Sequence, residues 1–382
     1  MAVYHQMGHD SQNLLLEDNL ICYRGALISP VNYTEEKVKA QIDQHGSDNF
    51  EMIFDPQLYY PLSERGKLPE WLYFPADVDT ADQSSLAWWK NLLTDIVECV
   101  KRLKPHAICS PAVVPRIYSD DYYDLNREIS DDLKDRLSKE GVDVLHSVLV
   151  RMGELSGADR TAEIASIVTR GNADRLFLVF VSEVEPRREL HETEDLKGAM
   201  RMIRYLENSE VRVLVGFTSS DVLLWKVAGA TDCASGKFFN VRRFTPSRWD
   251  VPPEGGGQLP YWFEESVMSY IRESDLVRVR KAGLLSEASA CNPYGEEILR
   301  QMDSEPEKAW LGLSWRQYMY WFGDFEKRFE EGSINTDVLL KNAEKVWSHL
   351  EEKNILMEER QNDGSWLRSW RRAVIEAFND SK

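Results

Sequence analysis

The sequence predicts an α/β protein: a (β/α)8-type TIM barrel, irregular in its eighth strand, followed by a helical C-terminal extension. Two observations lead there. Short apolar runs alternate with longer amphipathic stretches, and runs apolar on both faces are the strands of a buried parallel sheet. Repeated alternation of this kind builds either a barrel or a doubly wound sheet. No Gly-x-Gly-x-x-Gly follows the first apolar run, which favours the barrel over a dinucleotide-binding sheet.

Taken in order, strands are expected at 20–29, 51–55, 106–112, 142–150, 175–182, 211–217 and 228–234, with 71–74 a weak eighth. Helices are expected between them at 34–44, 84–103, 130–140, 161–170, 195–208 and 219–227. Thr34 and Ser219 stand where N-caps stand, with acids in the turn that follows. Pro252, Pro253 and the Gly255-Gly256-Gly257 run mark a loop. It divides a barrel domain at 1–250 from a helical region at 258–382, with helices expected at 260–272, 314–331, 336–352 and 365–378. The 314–331 stretch carries Trp315, Tyr318, Tyr320, Trp321, Phe322, Phe325 and Phe329. Aromatics at helical spacing read first as a packing face and second as a surface for stacking bases.

Composition sets limits. A chain of 382 residues, 43% hydrophobic, supports one large domain with an appendage, or two domains. A net charge of −18 argues against binding nucleic acid by overall charge and leaves room only for a local basic patch. The five cysteines (Cys22, Cys99, Cys109, Cys233, Cys291) are dispersed, so reduced thiols in a cytoplasmic protein are expected, with no disulfide framework and no zinc cluster. No His-Glu-x-x-His motif points to a metal, and no cofactor is expected. No signal segment or membrane-length apolar run is evident, so no membrane partner is expected.

A barrel carries its chemistry where strands end at their carboxyl side. The expected strand ends supply Ser29, Asp55, Ser110, His146 with Arg151, Glu183 with Glu185, Thr218 and Asp232. Carboxylates gathered on one rim suit cleavage of a glycosidic or N-glycosidic bond, one attacking or shielding an oxocarbenium-like centre while another handles a proton. Taken singly, each aspartate reads first as a turn or cap residue, and His146 as a satisfied half-buried histidine.

The segment Leu27-Ile28-Ser29-Pro30, then Gly46-Ser47-Asp48, then Met52-Ile53-Phe54-Asp55 through Tyr60-Pro61 resembles one continuous piece of a bacterial tRNA-guanine transglycosylase. Phe180-Val181-Ser182-Glu183-Val184-Glu185-Pro186, the stretch from Val213 to Asp221, and Gly229-Ala230-Thr231-Asp232-Cys233 are similar to later strands of that family. The resemblance runs from about Leu20 to Phe244. It implies that Asp232 attacks C1′ of a guanosine and forms a covalent aspartyl-ribose intermediate, while Asp55 holds the guanine edge beside Glu185. The incoming partner is then guanine or a 7-deazaguanine, and the nucleic acid is DNA or RNA with its target base unstacked. Arg151 falls where the family has a guanine-binding glutamine. The family's zinc site and its early threonine-aspartate-serine-glycine-glycine segment have no counterpart. Lys237, Arg242, Arg243 and Arg248 follow Asp232, where the family places arginines on RNA phosphates; Arg278, Arg280 and Lys281, and Arg368, Arg371 and Arg372, form further basic clusters. The favoured expectation is therefore base exchange or base removal at guanosine. A rival from another class is a catalytically retired barrel, a binding subunit with a protein partner in a nucleic-acid-modification or antiviral defence complex. A third reading is an unrelated barrel lyase or hydrolase.

Overall fold

The computed structural model describes residues 2–16, 23–250, 259–358 and 362–379. Eight parallel strands close a barrel in sequence order. They are β1 (Ala2–Gln6), β2 (Tyr23–Ile28), β3 (Glu51–Phe54), β4 (Ala107–Cys109), β5 (Asp143–Arg151), β6 (Arg175–Val181), β7 (Arg212–Val215) and β8 (Asp232–Ser235). The (β/α)8 expectation holds. A buried cluster with members from every strand, among them Tyr4, Leu27, Ile53, Cys109, Leu149, Phe177, Leu214 and Ala234, fills the interior. Alternate residues of the same strands face the surrounding helices.

The closing strand is β1, and not the 71–74 stretch, which forms turns. β1 pairs with β8, setting Ala2 beside Asp232 and His5 beside Ser235. Polar His5 and Gln6 disguise it in the sequence, although both are buried. The inter-strand helices are Glu35–His45, Leu86–Leu103, Asp120–Leu137, Ala158–Val168, Thr193–Asn208 and Val222–Val227. Thr34 occupies its N-cap position without a side-chain cap bond. The helix expected from Ser219 starts three residues later, with Asp221 at its N-cap. There Ser219 donates its backbone N–H to the Asp221 carboxylate at 2.7 Å.

Beyond the barrel, the helix expected at 260–272 is instead a hairpin, β9 (Trp262–Glu264) with β10 (Ser269–Ile271). Aromatic and β-branched residues favour strand there, and Met268 takes a left-handed turn position at φ 52° that the sequence does not advertise. Helices follow at Glu273–Lys281, Pro293–Ser304, Leu311–Glu330, Thr336–Glu352 and Trp366–Asn379. In the Leu311–Glu330 helix, Tyr318, Trp321, Phe322 and Phe325 are buried, with Trp321 at 3.9 Å from the Phe263 ring. They are the packing face. One hydrophobic cluster runs from the barrel helices into this region, and the fully buried Lys226–Glu326 pair, 2.6 Å apart, ties the two together. Cys22 and the Pro252, Pro253, Gly255-Gly256-Gly257 loop lie outside the described residues. Among the described residues, no helix is long and apolar enough to cross a membrane.

Candidate functional site

Five strands open on a charged residue: Glu51, Asp143, Arg175, Arg212 and Asp232. These side chains meet at the amino end of the barrel. Arg175 bonds both Glu51 oxygens, at 2.6 and 3.0 Å, and Asp143 at 3.2 Å. The Tyr4 hydroxyl donates to Glu51 at 2.6 Å, and Arg212 reaches Asp232 at 3.4 Å. Asp232 therefore belongs to the floor of the barrel. Asp55 follows β3 at the opposite, carboxyl end, its N–H continuing the ladder to Ile28. Asp232 is the first residue of β8, beside Ala2 at the start of β1, whereas Asp55 comes after the last residue of β3. The shared opening expected for Asp55, Glu185 and Asp232 is thus corrected.

The reason is local. Gly229, at φ +99°, ends the Val222–Val227 helix, a role glycine fills at helix ends. β8 accordingly starts at Asp232 instead of finishing near it. The rim position of β8 is Ser235, buried, hydrogen-bonded to the Thr218 carbonyl at 2.5 Å and to the Tyr318 hydroxyl at 2.7 Å. Burial raises the Asp232 pKa against the pull of Arg212 and Lys226. A carboxyl raised on folding favours the native state below its ordinary pKa and loses that contribution as pH climbs through the raised value. Asp232→Asn should therefore melt at or above the wild-type temperature at neutral pH. A clear drop in melting temperature would show that the charge itself holds the floor together.

Asp55 is 1% exposed. It accepts from the Gln57 N–H at 3.1 Å, the Gln57 amide at 3.2 Å and the Tyr59 hydroxyl at 3.0 Å. Aromatic rings close the mouth around it. Tyr59 packs edge-on against Phe244 and Trp249, and Phe217, held at φ +54°, meets Phe244. The segment after β8 is stitched across the mouth where Ser182 N–H bonds the Phe244 carbonyl at 3.1 Å. Burial pushes the Asp55 carboxyl up to about 6, against its hydrogen bonds and the neighbouring Arg248. Its stabilising contribution is present below pH 3.8 and is lost as pH rises through about 6. Asp55→Asn should flatten the change in melting temperature across that interval. An unaltered pH profile would remove Asp55 as its source.

Beside this closed centre lies a cavity of about 550 Å³, built by loops after β1, β2, β3, β6 and β8 and by the start of the Leu311–Glu330 helix. Five cations line it: Arg65, Arg187, Lys237, Arg242 and Arg248. No Asp or Glu is among its described lining residues, and Phe238, Phe239, Tyr261 and Trp315 supply aromatic walls. Two of the cations have other work. Arg187 pairs with Glu185 at 2.6 Å. Arg242 donates to the Gly236 and Lys237 carbonyls and lies 3.6 Å over the Tyr318 ring. Lys237 donates to the Asp10 carbonyl at 2.8 Å and sits 4.6 Å from the Phe238 and Trp315 ring centres. Burial holds Lys237 down at about 8, with Asp10 acting upward and Arg316 downward. Arg248 donates to the Asn240 carbonyl at 2.5 Å, while its buried Nε has no partner. Burial first, then Arg65, lowers Arg248 to about 9; desolvation outweighs its attraction to Asp55.

The remaining expected residues divide. Arg151, the last residue of β5, is half exposed at the rim, over the Tyr118 ring and 4.0 Å from Glu183. Glu185 is exposed and engaged by Arg187 and Arg188. Arg243 is buried against Asp221 at 3.2 Å and the Arg188 carbonyl, and does not line the cavity. His146 faces out from the middle of β5, buried and held neutral by a pKa lowered to about 3. Most members of the other basic clusters are in ion pairs, Arg278 with Asp275, Arg280 with Asp303, Arg371 with Glu344 and Arg372 with Glu376. Arg65 and Phe238 were not legible as site residues. Arg65 lies in a Glu-Arg-Gly-Lys turn that reads as solvated loop, and only the fold brings it against the loop after β8. Among the described residues, no group of three or more His, Cys, Asp or Glu side chains could hold a metal ion.

No family model and no curated protein matches the sequence. Solved structures resemble it distantly. An AP endonuclease, family 2, from Brucella melitensis is 12% identical over 64% of this chain and 93% of its own, with a TM-score of 0.37. A sugar phosphate isomerase/epimerase from Parabacteroides distasonis is 10% identical over 65% and 83%, TM-score 0.36. A xylose isomerase domain protein from Planctomyces limnophilus is 13% identical over 61% and 89%, TM-score 0.32. The barrel assignment itself rests on the closed strand ladder.

Proposed function

We propose that this protein is a nucleic-acid-binding barrel, a binding subunit whose recognition site is the basic, aromatic-walled cavity beside the closed mouth. One observation carries the reading: a chain of net charge −18 places five cations and no described carboxylate around a single cavity. Such a concave positive site focuses field lines on an anionic ligand. Aromatic rings beside cations are the usual equipment for single strands, where bases stack while the backbone is neutralised. Covalent chemistry at Asp232 forms no part of this reading, because that carboxylate lies at the other end of the barrel from the cavity. The guanine-holding role expected of Asp55 is set aside too, since its oxygens already accept from Gln57 and Tyr59. A cytoplasmic setting and a protein partner that performs chemistry on the strand fit the proposal.

The test is fluorescence anisotropy with labelled single-stranded DNA and RNA across a salt series. Each phosphate neutralised on a single strand contributes about −0.7 to the slope of log K against log salt. Binding without salt dependence, or no binding to either strand, would remove the reading. Incorporation of labelled guanine into the strand would instead favour the base-exchange enzyme.

A further inference from the structure

We infer that the floor of this cavity takes a phosphate monoester dianion, the terminal phosphate of a strand or of a free nucleotide, and not an internal phosphodiester. The inference deepens the nucleic-acid reading above and rests on it. The cations lie deep. Lys237 is 4% exposed and Arg248 5%, whereas Arg65, which lines the same cavity beside Arg248, is half-buried. None of the three has an ion pair among the described residues. Lys237 and Arg248 are satisfied only in part, by the backbone carbonyls of Asp10 and Asn240.

Buried charge without a direct ion pair is costly; burial lowers the pKa values of Lys237 and Arg248 in spite of Asp10 and Asp55 nearby. An anion bound in the cavity they line supplies a counter-charge and gives the buried Arg248 Nε an acceptor. Guanidinium groups meet phosphate oxygens in a matching geometry, which lysine supplements as a point charge.

Depth then selects the kind of phosphate. An internal phosphodiester has a sugar on each side, so carrying it to recessed cations drags both flanking nucleotides into a cavity of about 550 Å³. A terminal phosphate has chain on one side only and enters end-on. It also carries about −1.5 to −2 charges near neutral pH, against −1 for a diester. Three cations match the dianion better. Trp315 and Phe238 stand beside Lys237, where the first base of an end-on strand can stack.

The experiment compares a single strand bearing a 5′-phosphate with the same strand bearing a 5′-hydroxyl, label at the 3′ end, alongside the converse 3′-phosphate pair. A nucleoside 5′-monophosphate serves as competitor. We expect one terminal phosphate to tighten binding about tenfold, the gain of one additional charge-assisted hydrogen bond. The preference should vanish in Arg65→Gln, a half-buried position whose change leaves the fold intact, and in Arg248→Gln. Competition by the mononucleotide at matching affinity identifies a free nucleotide as the source; strand-only binding identifies a strand end. Equal binding of phosphorylated and hydroxyl strands overturns the inference and leaves the nucleic-acid reading standing. A phosphate preference that survives both substitutions places the dianion elsewhere and overturns it as well. Failure of every strand and nucleotide to bind overturns both.

Discussion

Replacing Arg175 with leucine is expected to cost about 2–3 kcal/mol of stability, below the roughly 3–5 kcal/mol of a fully buried pair, because the Glu51 and Asp143 side chains keep 22% and 41% exposure. Arg175 is the first residue of β6 and the only cation within hydrogen-bond reach of both Glu51 and Asp143 among the described residues. Without it two carboxylates and the Tyr4 hydroxyl face one another at the barrel floor. Burial works to raise the Glu51 pKa, yet the hydrogen bond and charge of Arg175, with Tyr4, leave it lowered. A lowered carboxyl contributes stability above its ordinary range, and that contribution is lost as pH falls through its depressed value. Urea unfolding at neutral pH should therefore separate wild type from Arg175→Leu widely, and the gap should narrow in acid. Pairing Arg175→Leu with Glu51→Leu should recover much of the loss, because an apolar pair of similar volume needs no desolvation. A single-variant cost below about 1 kcal/mol would mean that the floor is solvated and its charges are worth no more than surface pairs.

That floor shows where sequence reasoning stops. Strands β2 to β7 are legible because buried parallel strands are apolar on both faces, so runs such as Arg175–Val181 stand out. β1 is short and closes on His5 and Gln6, whose burial is a property of the assembled barrel. The direction of a residue along its strand is harder still. An apolar run from Ala228 to Ala234 looks like one strand with Asp232 near its end. In the fold its first residues finish a helix, and Gly229 resets the backbone before β8 begins. A shift of three or four residues carries a carboxylate from one end of a barrel to the other. The family resemblance could not correct this, since similar letters around Asp232 leave the strand boundary unspecified. The hairpin Trp262–Ile271 was hidden differently: its apolar positions suit either period, and its turn uses Met268 where glycine would have announced it.

Of the cavity, Lys237, Arg242 and Arg248 were visible as a basic run, but their division of labour was not. Arg242 is spent on the loop's own carbonyls and on Tyr318, and Arg243 on Asp221. The cation beside Arg248 that completes the site, Arg65, comes from the loop after β3, which no spacing rule connects to the loop after β8.

Arg65 is the residue on which that arrangement can be tested most sharply. Arg65→Glu puts a carboxylate beside Arg248, where an incoming phosphate is proposed to sit. The new side chain supplies the anion from within, so the fold should lose nothing and the melting temperature should hold or rise. Repulsion and occupancy then act together against the ligand. Single-strand binding should weaken on the order of 100-fold, as when a desolvated charge pair loses one partner, and the salt slope should shrink because fewer counterions are released. Arg65→Gln should fall between, since it removes one attraction without creating a competitor. A surface role for Arg65 predicts small effects throughout: both variants would cost under about 1 kcal/mol, the worth of an exposed ion pair, and strand binding would change by a few fold at most.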